Sequence, residues 1–293
     1  MEVTIAERRL LALHYVYPVP LNRLEKLLEV DPNLEKIPTY PSEYLAFLLN
    51  TSVEKAAKLQ VKLRENAMTP YDKLYEREDI IPIPFTNPLY PDKLRQMIDP
   101  PAVLYTKGDQ RLLAESFKIA IIGSRKATAY SKQAMSLIVP PLVKHQAVIV
   151  SGLAKGADTM AHVAALEFGG KTIAVLGHGF FHLYPKENRY LANQLAANHL
   201  LITEYPPYVK PEKWTFPMRN RIISGLSDAV VITEAADKSG TMSTVEHALD
   251  HGKEIFAVPG PITSPLSAGP NKLLDEGAKL VWSGFQVIES LII

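Results

Sequence analysis

Cations and large aromatic residues alternate within residues 210–221 of the sequence. Bases stack on aromatic faces while guanidinium groups bind the phosphates between them, and this combination suits single-stranded nucleic acid because its bases are exposed. We interpret the segment as a loop that could contact such a strand. The alternative is that Trp214 and Phe216 anchor the loop to the core. The candidate contact residues of this segment are Lys213, Phe216, Arg219, Asn220 and Arg221.

Two glycine-rich stretches combine small residues with cations. Glycine lets a backbone approach a ligand closely, and the amides of a following helix favour an anion. Neither the GxGxxG dinucleotide fingerprint nor the GxxxxGK[ST] P-loop occurs, so the pattern indicates phosphate sites of another kind, although any one glycine can mark a simple turn. We expect Asp158 to cap the helix after the second stretch. The candidate residues are Gly123, Ser124, Arg125 and Lys126 in the first stretch, and Gly152 and Lys155 in the second.

Metal and cofactor chemistry is not expected. Two histidine pairs, His178 with His182 and His247 with His251, have the spacing of neighbours on a helix face, but no HExxH motif and no cysteine completes a ligand set. Glu246 is the one carboxylate near a glycine-rich strand end that could act as a general acid or base. The sequence thus predicts no metal and no cofactor.

The charge of the 293-residue chain is unevenly distributed. Its formal net charge is only +1, yet residues 118–225 contain 13 Lys/Arg against 5 Asp/Glu, which gives that stretch a net charge of +8. Clustered cations attract polyanions, although a solvated basic face without a partner is the plainer alternative. No apolar run approaches the length of a membrane span, so we expect a soluble, cytoplasmic protein.

The first part of the chain has the period of helices. Helices are predicted near 5–16, 20–30, 42–49 and 53–67, and capping boxes are predicted at Thr4 with Glu7 and at Thr51 with Glu54. We interpret residues 1–68 as a helical domain. Residues 69–117 are rich in proline and are predicted to form an extended connector that leads into the next domain.

Residues 118–293 alternate short β-branched runs with helical stretches, which is typical of a parallel sheet covered on both sides by helices. We predict an α/β fold with an open, doubly wound, mostly parallel sheet. Ligands of such sheets bind beyond the carboxyl ends of the strands, where Gly123, Gly152 and Gly240 are found. The predicted strands are 118–122, 147–150, 172–176, 200–203, 229–233, 255–258 and 279–282.

The ordered succession of motifs in the last 200 residues or so resembles the DNA-processing protein A (DprA/Smf) family, whose core is an extended Rossmann-like domain. Each motif is weak alone, but their order is specific. Residues 1–68 are similar to the sterile-alpha-motif-like extension of that family. The matching motifs are GSR (123–125), SGLAKGADTMAH (151–162), TIAVLGHG (172–179), FPMRNRIISGLSD (216–228), EAADKSGTMST (234–244) and KEIFAVPG (253–260).

The resemblance implies a non-enzymatic protein that binds single-stranded DNA, protects incoming strands during natural transformation and loads the RecA recombinase, usually as a homodimer. It implies that Phe216 is the stacking residue. It also implies phosphate contacts from Arg125, Lys155, Arg219 and Arg221, and donors at Ser124, Gly152 and Gly240.

A nucleotide-processing hydrolase is the alternative function. Phosphoribohydrolases of the same broad Rossmann-like class carry a PGGxGTxxE motif that places a glutamate beside an anion-binding loop. Here Glu246 follows Gly240-Thr241 five residues after the threonine instead of three, and no PGG precedes it. This spacing argues against hydrolysis.

Overall fold

The computed structural model describes residues 4–66 and 69–292. The chain forms two compact units, Met1–Thr106 with Glu204–Pro207 (unit 1) and Lys107–Thr203 with Tyr208–Ile293 (unit 2). Unit 1 therefore extends past the predicted boundary at residue 68 and includes most of the predicted connector. No helix of the described residues is long and apolar enough to cross a bilayer.

Unit 1 begins with helices that largely match the predicted ones. The Thr4 capping box is confirmed: the amide of Glu7 donates to Thr4 Oγ1 at 3.2 Å, and the amide of Thr4 donates to Glu7 Oε2 at 2.8 Å. The second predicted box is wrong, because Ser52 is the N-cap and its hydroxyl accepts from the amide of Lys55. Residue 67, the predicted end of the fourth helix, lies outside the described residues. The helices are α1 (Ile5–Val16), α2 (Glu25–Val30), α3 (Ser42–Leu48), α4 (Val53–Glu65) and α5 (Tyr71–Glu76).

The proline-rich stretch contains two strands that the sequence pattern did not predict. β1 (Ile81–Pro84) precedes the short helix α6 (Asp92–Arg95) and pairs antiparallel with β2 (Val103–Gly108), in a register that sets Ile81 opposite Thr106. β1 contains two prolines, and among the described strands it pairs with β2 alone. Because proline has no amide to donate, it is tolerated in such an edge strand.

Unit 2 has the predicted doubly wound architecture. Its strands pair in parallel in the order β6-β5-β4-β3-β7-β8-β9. Most strand residues are buried, which explains their nearly continuous apolar runs. The strands are β3 (Lys118–Ile122), β4 (Val148–Ser151), β5 (Lys171–Val175), β6 (Leu200–Thr203), β7 (Ala229–Ile232), β8 (Glu254–Ala257) and β9 (Lys279–Leu280).

Helices connect successive strands of this sheet. The prediction of a loop over residues 210–221 is wrong for its second half, because residues 215–221 belong to a helix that runs to Leu226. The helices are α7 (Ala129–Lys144), α8 (Ala157–Glu167), α9 (Arg189–Asn198), α10 (Thr215–Leu226), α11 (Gly240–Asp250), α12 (Ala268–Asp275) and α13 (Gly284–Ile292).

The strand order reverses between β3 and β7. From the central β3 the chain proceeds outward through β4, β5 and β6, and it then returns to place β7 on the other side of β3. The loops that leave these two neighbouring strands therefore diverge to opposite faces of the sheet and leave a crevice between them. Ligands bind at such a crevice in open α/β sheets.

Candidate nucleic-acid interface

A cavity of about 630 Å³ lies at this crevice in unit 2. Most of its lining comes from the loops after β3 and β7 and from the N-terminal parts of α10 and α11. Most of the residues predicted from the sequence meet here. The cavity is lined by Gly123, Ser124, Arg125, Lys126, Lys213, Phe216, Arg219, Asn220 and Gly240 among others.

An arginine and an aromatic ring face each other at this cavity. The guanidinium carbon of Arg125 lies 5.4 Å from the centre of the Phe216 ring, which is within cation–π range. The ring of Tyr184 lies 5.6 Å from Phe216 at an interplanar angle of 53°. Arg125 is exposed to solvent. The cavity thus presents an aromatic surface and an accessible cation side by side.

The loop that carries Arg125 is held by hydrogen bonds at its first residues, Gly123 and Ser124. The amide of Ser124 donates to the carbonyl of Glu234 at 2.5 Å, and the amide of Ala157 donates to the carbonyl of Ser124 at 3.1 Å. Thr241 Oγ1 donates to the carbonyl of Gly123 at 3.1 Å. The loop after β3 is therefore fixed to the loop after β7 and to the start of α8.

The buried carboxylate of Glu234 organises the start of α7. It accepts a hydrogen bond from the amide of Thr128 at 2.7 Å. It also accepts from the hydroxyl of Thr128 at 2.9 Å and from the hydroxyl of Ser131 at 2.8 Å. Because the Arg125 loop leads directly into α7, Glu234 fixes the far side of that loop as well. No role was predicted for Glu234, although its position two residues after the end of β7 was the available signal.

Gly156 lets α8 approach the Arg125 loop closely. Its φ is +75°, and a Cβ there would lie 2.4 Å from the carbonyl oxygen of Ser124 and 2.7 Å from the carbonyl carbon of Arg125. Gly156, not Asp158, is the N-cap of α8, so that part of the prediction is wrong. The helix starts at Ala157, two residues earlier than predicted, and residue 156 before it must be glycine because a Cβ would collide with the loop.

Arg219 and Asp158 form the buried side of the cavity. Arg219 is only 4% exposed, and its Nη1 donates to the carbonyl of Val175 at 2.8 Å. A Cβ on Gly152 would lie 1.6 Å from that nitrogen, so Gly152 makes room for the guanidinium. Burial raises the pKa of Asp158, while the charge of Arg219 opposes that rise. Arg219 can offer a donor only to a group that enters the cavity.

Four of the predicted contact residues lie elsewhere or are engaged within the protein. Lys155 lies at a small neighbouring recess together with Gly152, and its Nζ lies 2.5 Å from a carboxylate oxygen of Glu187, a bond that raises the pKa of Lys155. Asn220 Nδ2 donates to Ser243 Oγ at 2.9 Å and so joins α10 to α11. Arg221 is fully buried and does not line the cavity.

The carboxylate and histidine candidates lie outside the cavity lining. Glu246 is exposed on α11. His178 is buried, and its ring accepts from the amide of Tyr184 at 3.2 Å and lies 3.0 Å from the carbonyl of Gly179. The rings of His247 and His251 stack with 6.4 Å between their centres. Within residues 4–66 and 69–292, no group of three or more His, Cys, Asp or Glu could hold a metal ion.

Comparison with known proteins matches this architecture to one family. The sequence model of the DNA recombination-mediator protein A family matches residues 82–292. The chain belongs to that family. It is 46% identical over 217 residues to the DNA processing protein DprA of Bacillus subtilis, covering 74% of this chain and 73% of that protein. The resemblance drawn from the motifs is confirmed.

Two solved structures of this family extend the comparison. The crystal structure of DNA processing protein A from Streptococcus pneumoniae is similar over 99% of both chains, with a TM-score of 0.79 and 34% identity. A structure of DNA processing protein A from Helicobacter pylori, reported for its single-stranded DNA binding mode, is 35% identical with a TM-score of 0.66, over 73% of this chain and 95% of that one. The first likeness, which extends over 99% of this chain, includes the α/β unit that holds the cavity.

Proposed function

We propose that this chain binds single-stranded DNA in the cavity at the β3–β7 crevice and acts there without catalysing a reaction. The observation that carries the proposal is the exposed Arg125 guanidinium over the Phe216 ring, with Lys126 and Lys213 on the same cavity. Cations beside an aromatic face bind phosphate and base together. The family relative from Helicobacter pylori, which binds single-stranded DNA, supports the same ligand.

The roles proposed for the residues follow their positions. Arg125, Lys126 and Lys213 would bind phosphates, because they are exposed at the cavity. Phe216 would stack against a base. Ser124 and Gly240 would offer donors at the loop ends, and Arg219 would donate from the buried side. We do not retain Arg221 as a phosphate contact, because its side chain is buried.

The proposed cellular role is protection of incoming strands and loading of the RecA recombinase during natural transformation, with the chain acting as a homodimer. This part rests on the family alone. Light scattering tests the homodimer, and a strand-exchange assay with RecA and a single-strand-binding protein tests the loading. A monomer at micromolar concentration, or no stimulation of RecA, would remove the corresponding part of the proposal.

Binding should be selective for unpaired DNA and sensitive to salt. We expect oligo(dT) to bind more tightly than a duplex, and the logarithm of its affinity to fall with the logarithm of salt concentration by about 0.7 for each phosphate contact. Titrations of both ligands at two salt concentrations measure this. Equal affinity for duplex, or an affinity that salt does not change, would contradict single-strand binding at a basic cavity.

Arg125→Ala should weaken binding of all sequences to a similar extent. Loss of one charge-assisted phosphate contact is expected to lower affinity by about tenfold or more and to reduce the salt slope by about 0.7. Arg111→Ala is the matched control, since Arg111 is an exposed arginine of the same unit that pairs with Asp109 outside the cavity lining. A control that loses as much affinity would show that overall charge, and not the cavity, determines binding.

The hydrolase alternative predicts a different result. Release of free base from nucleoside monophosphates, abolished by Glu246→Ala, would favour it. The exposed position of Glu246 outside the cavity gives that carboxylate no bound substrate to act on, so we expect no release.

A further inference from the structure

Three aromatic side chains are exposed on two neighbouring segments outside the cavity lining. Phe181, Tyr208 and Trp214, which we call the aromatic shelf, are 55%, 39% and 58% exposed. Trp214 directly precedes α10, whose second residue is Phe216. A group of large exposed apolar side chains so close to a binding cavity points to a ligand contact.

Three hydrogen bonds hold the two segments of the shelf side by side. The hydroxyl of Thr215 donates to the carbonyl of Gly177 at 2.5 Å. The amide of Gly179 donates to the carbonyl of Val209 at 2.8 Å, and the His182 ring nitrogen Nε2 lies 2.9 Å from the carbonyl of Tyr208. The loop that carries Phe181 therefore follows the segment that carries Tyr208 and Trp214 along its length.

The exposure of Phe181 is imposed by its neighbours. Phe180 and Leu183 pack against a buried apolar cluster that includes Leu176 and Leu195. With Phe180 before it and Leu183 two residues after it directed inward, the short loop leaves Phe181 on the outside. Its exposure is thus a consequence of a well-anchored backbone, which is the arrangement expected of a preorganised stacking surface.

The charges around the shelf favour a polyanion over an apolar protein partner. Residues 208–216 contain two exposed lysines, Lys210 and Lys213, and one acid, Glu212. Lys213 also lines the cavity, so the cavity and the shelf share a cation. Interleaved lysines and aromatic rings along a path are the composition of surfaces that follow a single strand.

We propose that a single strand leaving the cavity continues over the aromatic shelf, where Phe181, Tyr208 and Trp214 stack with its unpaired bases. This inference rests on the proposed function, and it adds a second tract of the strand that the cavity alone does not hold. Short strands fill only the cavity, and longer strands gain affinity from the shelf.

The test compares strand lengths in shelf variants. We expect Phe181→Ala and Trp214→Ala each to lower the affinity for oligo(dT) of about 12 nucleotides by about tenfold, and to leave a strand of about 4 nucleotides bound within about twofold of the wild type. Phe168→Ala is the matched control, because Phe168 is 41% exposed at the opposite end of α8 from the cavity and should change neither affinity.

Three further measurements test whether the shelf acts by stacking. A long strand without bases keeps its phosphates, so the shelf variants should bind it as the wild type does. The chain has two tryptophans, so Trp282→Phe leaves Trp214 as the single reporter, whose fluorescence should be quenched by the long strand and not by the short one. Phe181→Tyr should retain the affinity for the long strand.

The outcomes distinguish this inference from the proposed function. A wild type that binds neither strand overturns both. A wild type that binds both strands, with a Phe181→Ala/Trp214→Ala double variant that keeps its full affinity for the long one, overturns the shelf and leaves the cavity in place. Equal losses for short, long and base-free strands would also overturn the shelf, since stacking would then not be the cause.

Discussion

Gly156→Ala is expected to lower the affinity for single-stranded DNA by about 100-fold or more, although residue 156 carries no side chain that could contact a ligand. The added Cβ would lie within 2.7 Å of backbone atoms of both Ser124 and Arg125. Backbone atoms cannot swing aside as the tip of a side chain can, so the Arg125 loop must move. Its displacement removes the proposed phosphate contacts of Arg125 and Lys126 together.

The same substitution should also lower the free energy of unfolding. A side chain at φ +75° costs about 1–3 kcal/mol, and the overpacking adds a similar amount. Titration with oligo(dT) and denaturant unfolding on the same preparation separate the two effects, provided that binding is measured where the variant is folded.

Two glycine controls isolate the contact with the loop. Gly169, at the other end of α8, has φ +71° but space for a Cβ, so Gly169→Ala carries the backbone strain without the collision. Gly252, after the end of α11, has φ +63° and also has space for a Cβ, and it lies outside the cavity lining, so Gly252→Ala is a second such control. We expect both to bind DNA normally. A Gly156→Ala protein that is folded and binds with full affinity would show that the position of the Arg125 loop does not govern binding.

The strands of unit 2 could be predicted because most of their residues are buried. The predicted runs 118–122 and 200–203 match β3 and β6 residue for residue. A strand that is covered on both sides is a continuous apolar run, so its ends can be located in the sequence. β1 was missed for the opposite reason. Pro82 and Pro84 are typical of a loop in the sequence, and only the edge position of β1 makes them compatible with a strand.

Only some of the predicted contact residues lie at the cavity. The direction of a side chain depends on whether its segment is a helix or a loop, and residues 210–221 were predicted to be a loop. In the helix α10, Arg219 lies three residues after Phe216 and so about 60° away around the axis, whereas Arg221 lies about 140° away. Arg219 accordingly reaches the cavity and Arg221 is buried. When the segment is interpreted as a loop, nothing in the sequence distinguishes the position of Arg219 from that of Arg221. Gly156 and Glu234 act by positioning the Arg125 loop, and spacing alone does not reveal such a role.

Acid should destabilise unit 2 through a histidine that takes no part in binding. His162 is fully buried, and burial lowers its pKa from 6.5 to about 3. Its Nδ1 lies 2.7 Å from Thr172 Oγ1, and that hydroxyl donates to the carbonyl of Ile149, so Nδ1 carries the hydrogen. Within the described residues Nε2 has no hydrogen-bond partner. A second proton would therefore place an unsatisfied charge in the core.

The sign of the pH effect follows from the two states. Below pH 6.5 the unfolded chain binds a proton at His162 that the folded chain does not bind until about pH 3. The stabilisation is fully present above pH 6.5 and is lost progressively as the pH falls toward 3. This one group should lower the free energy of unfolding by about 2 kcal/mol between pH 7 and pH 5, and by about 5 kcal/mol in total.

His162→Asn tests this contribution directly. An asparagine amide can donate to Thr172 Oγ1 without titrating, so the variant should lose about 2 kcal/mol less than the wild type between pH 7 and pH 5, even if it is less stable at pH 7 because of its smaller volume. Urea unfolding followed by tryptophan fluorescence reports on the correct unit, because Trp214 and Trp282 both lie in unit 2. His14, whose pKa is lowered to about 3 in the same way, lies in unit 1.

A surface histidine provides the control for this experiment. His145 is exposed at the end of α7, so His145→Asn should leave the acid sensitivity of unit 2 in place. If His162→Asn and the wild type lose equal stability on acidification, the buried ring is not the source of the sensitivity. If the variant is less sensitive, acid destabilises the core of unit 2 beneath α8. Any loss of DNA binding below pH 6 must then be separated from unfolding before it is attributed to the titration of a group at the cavity.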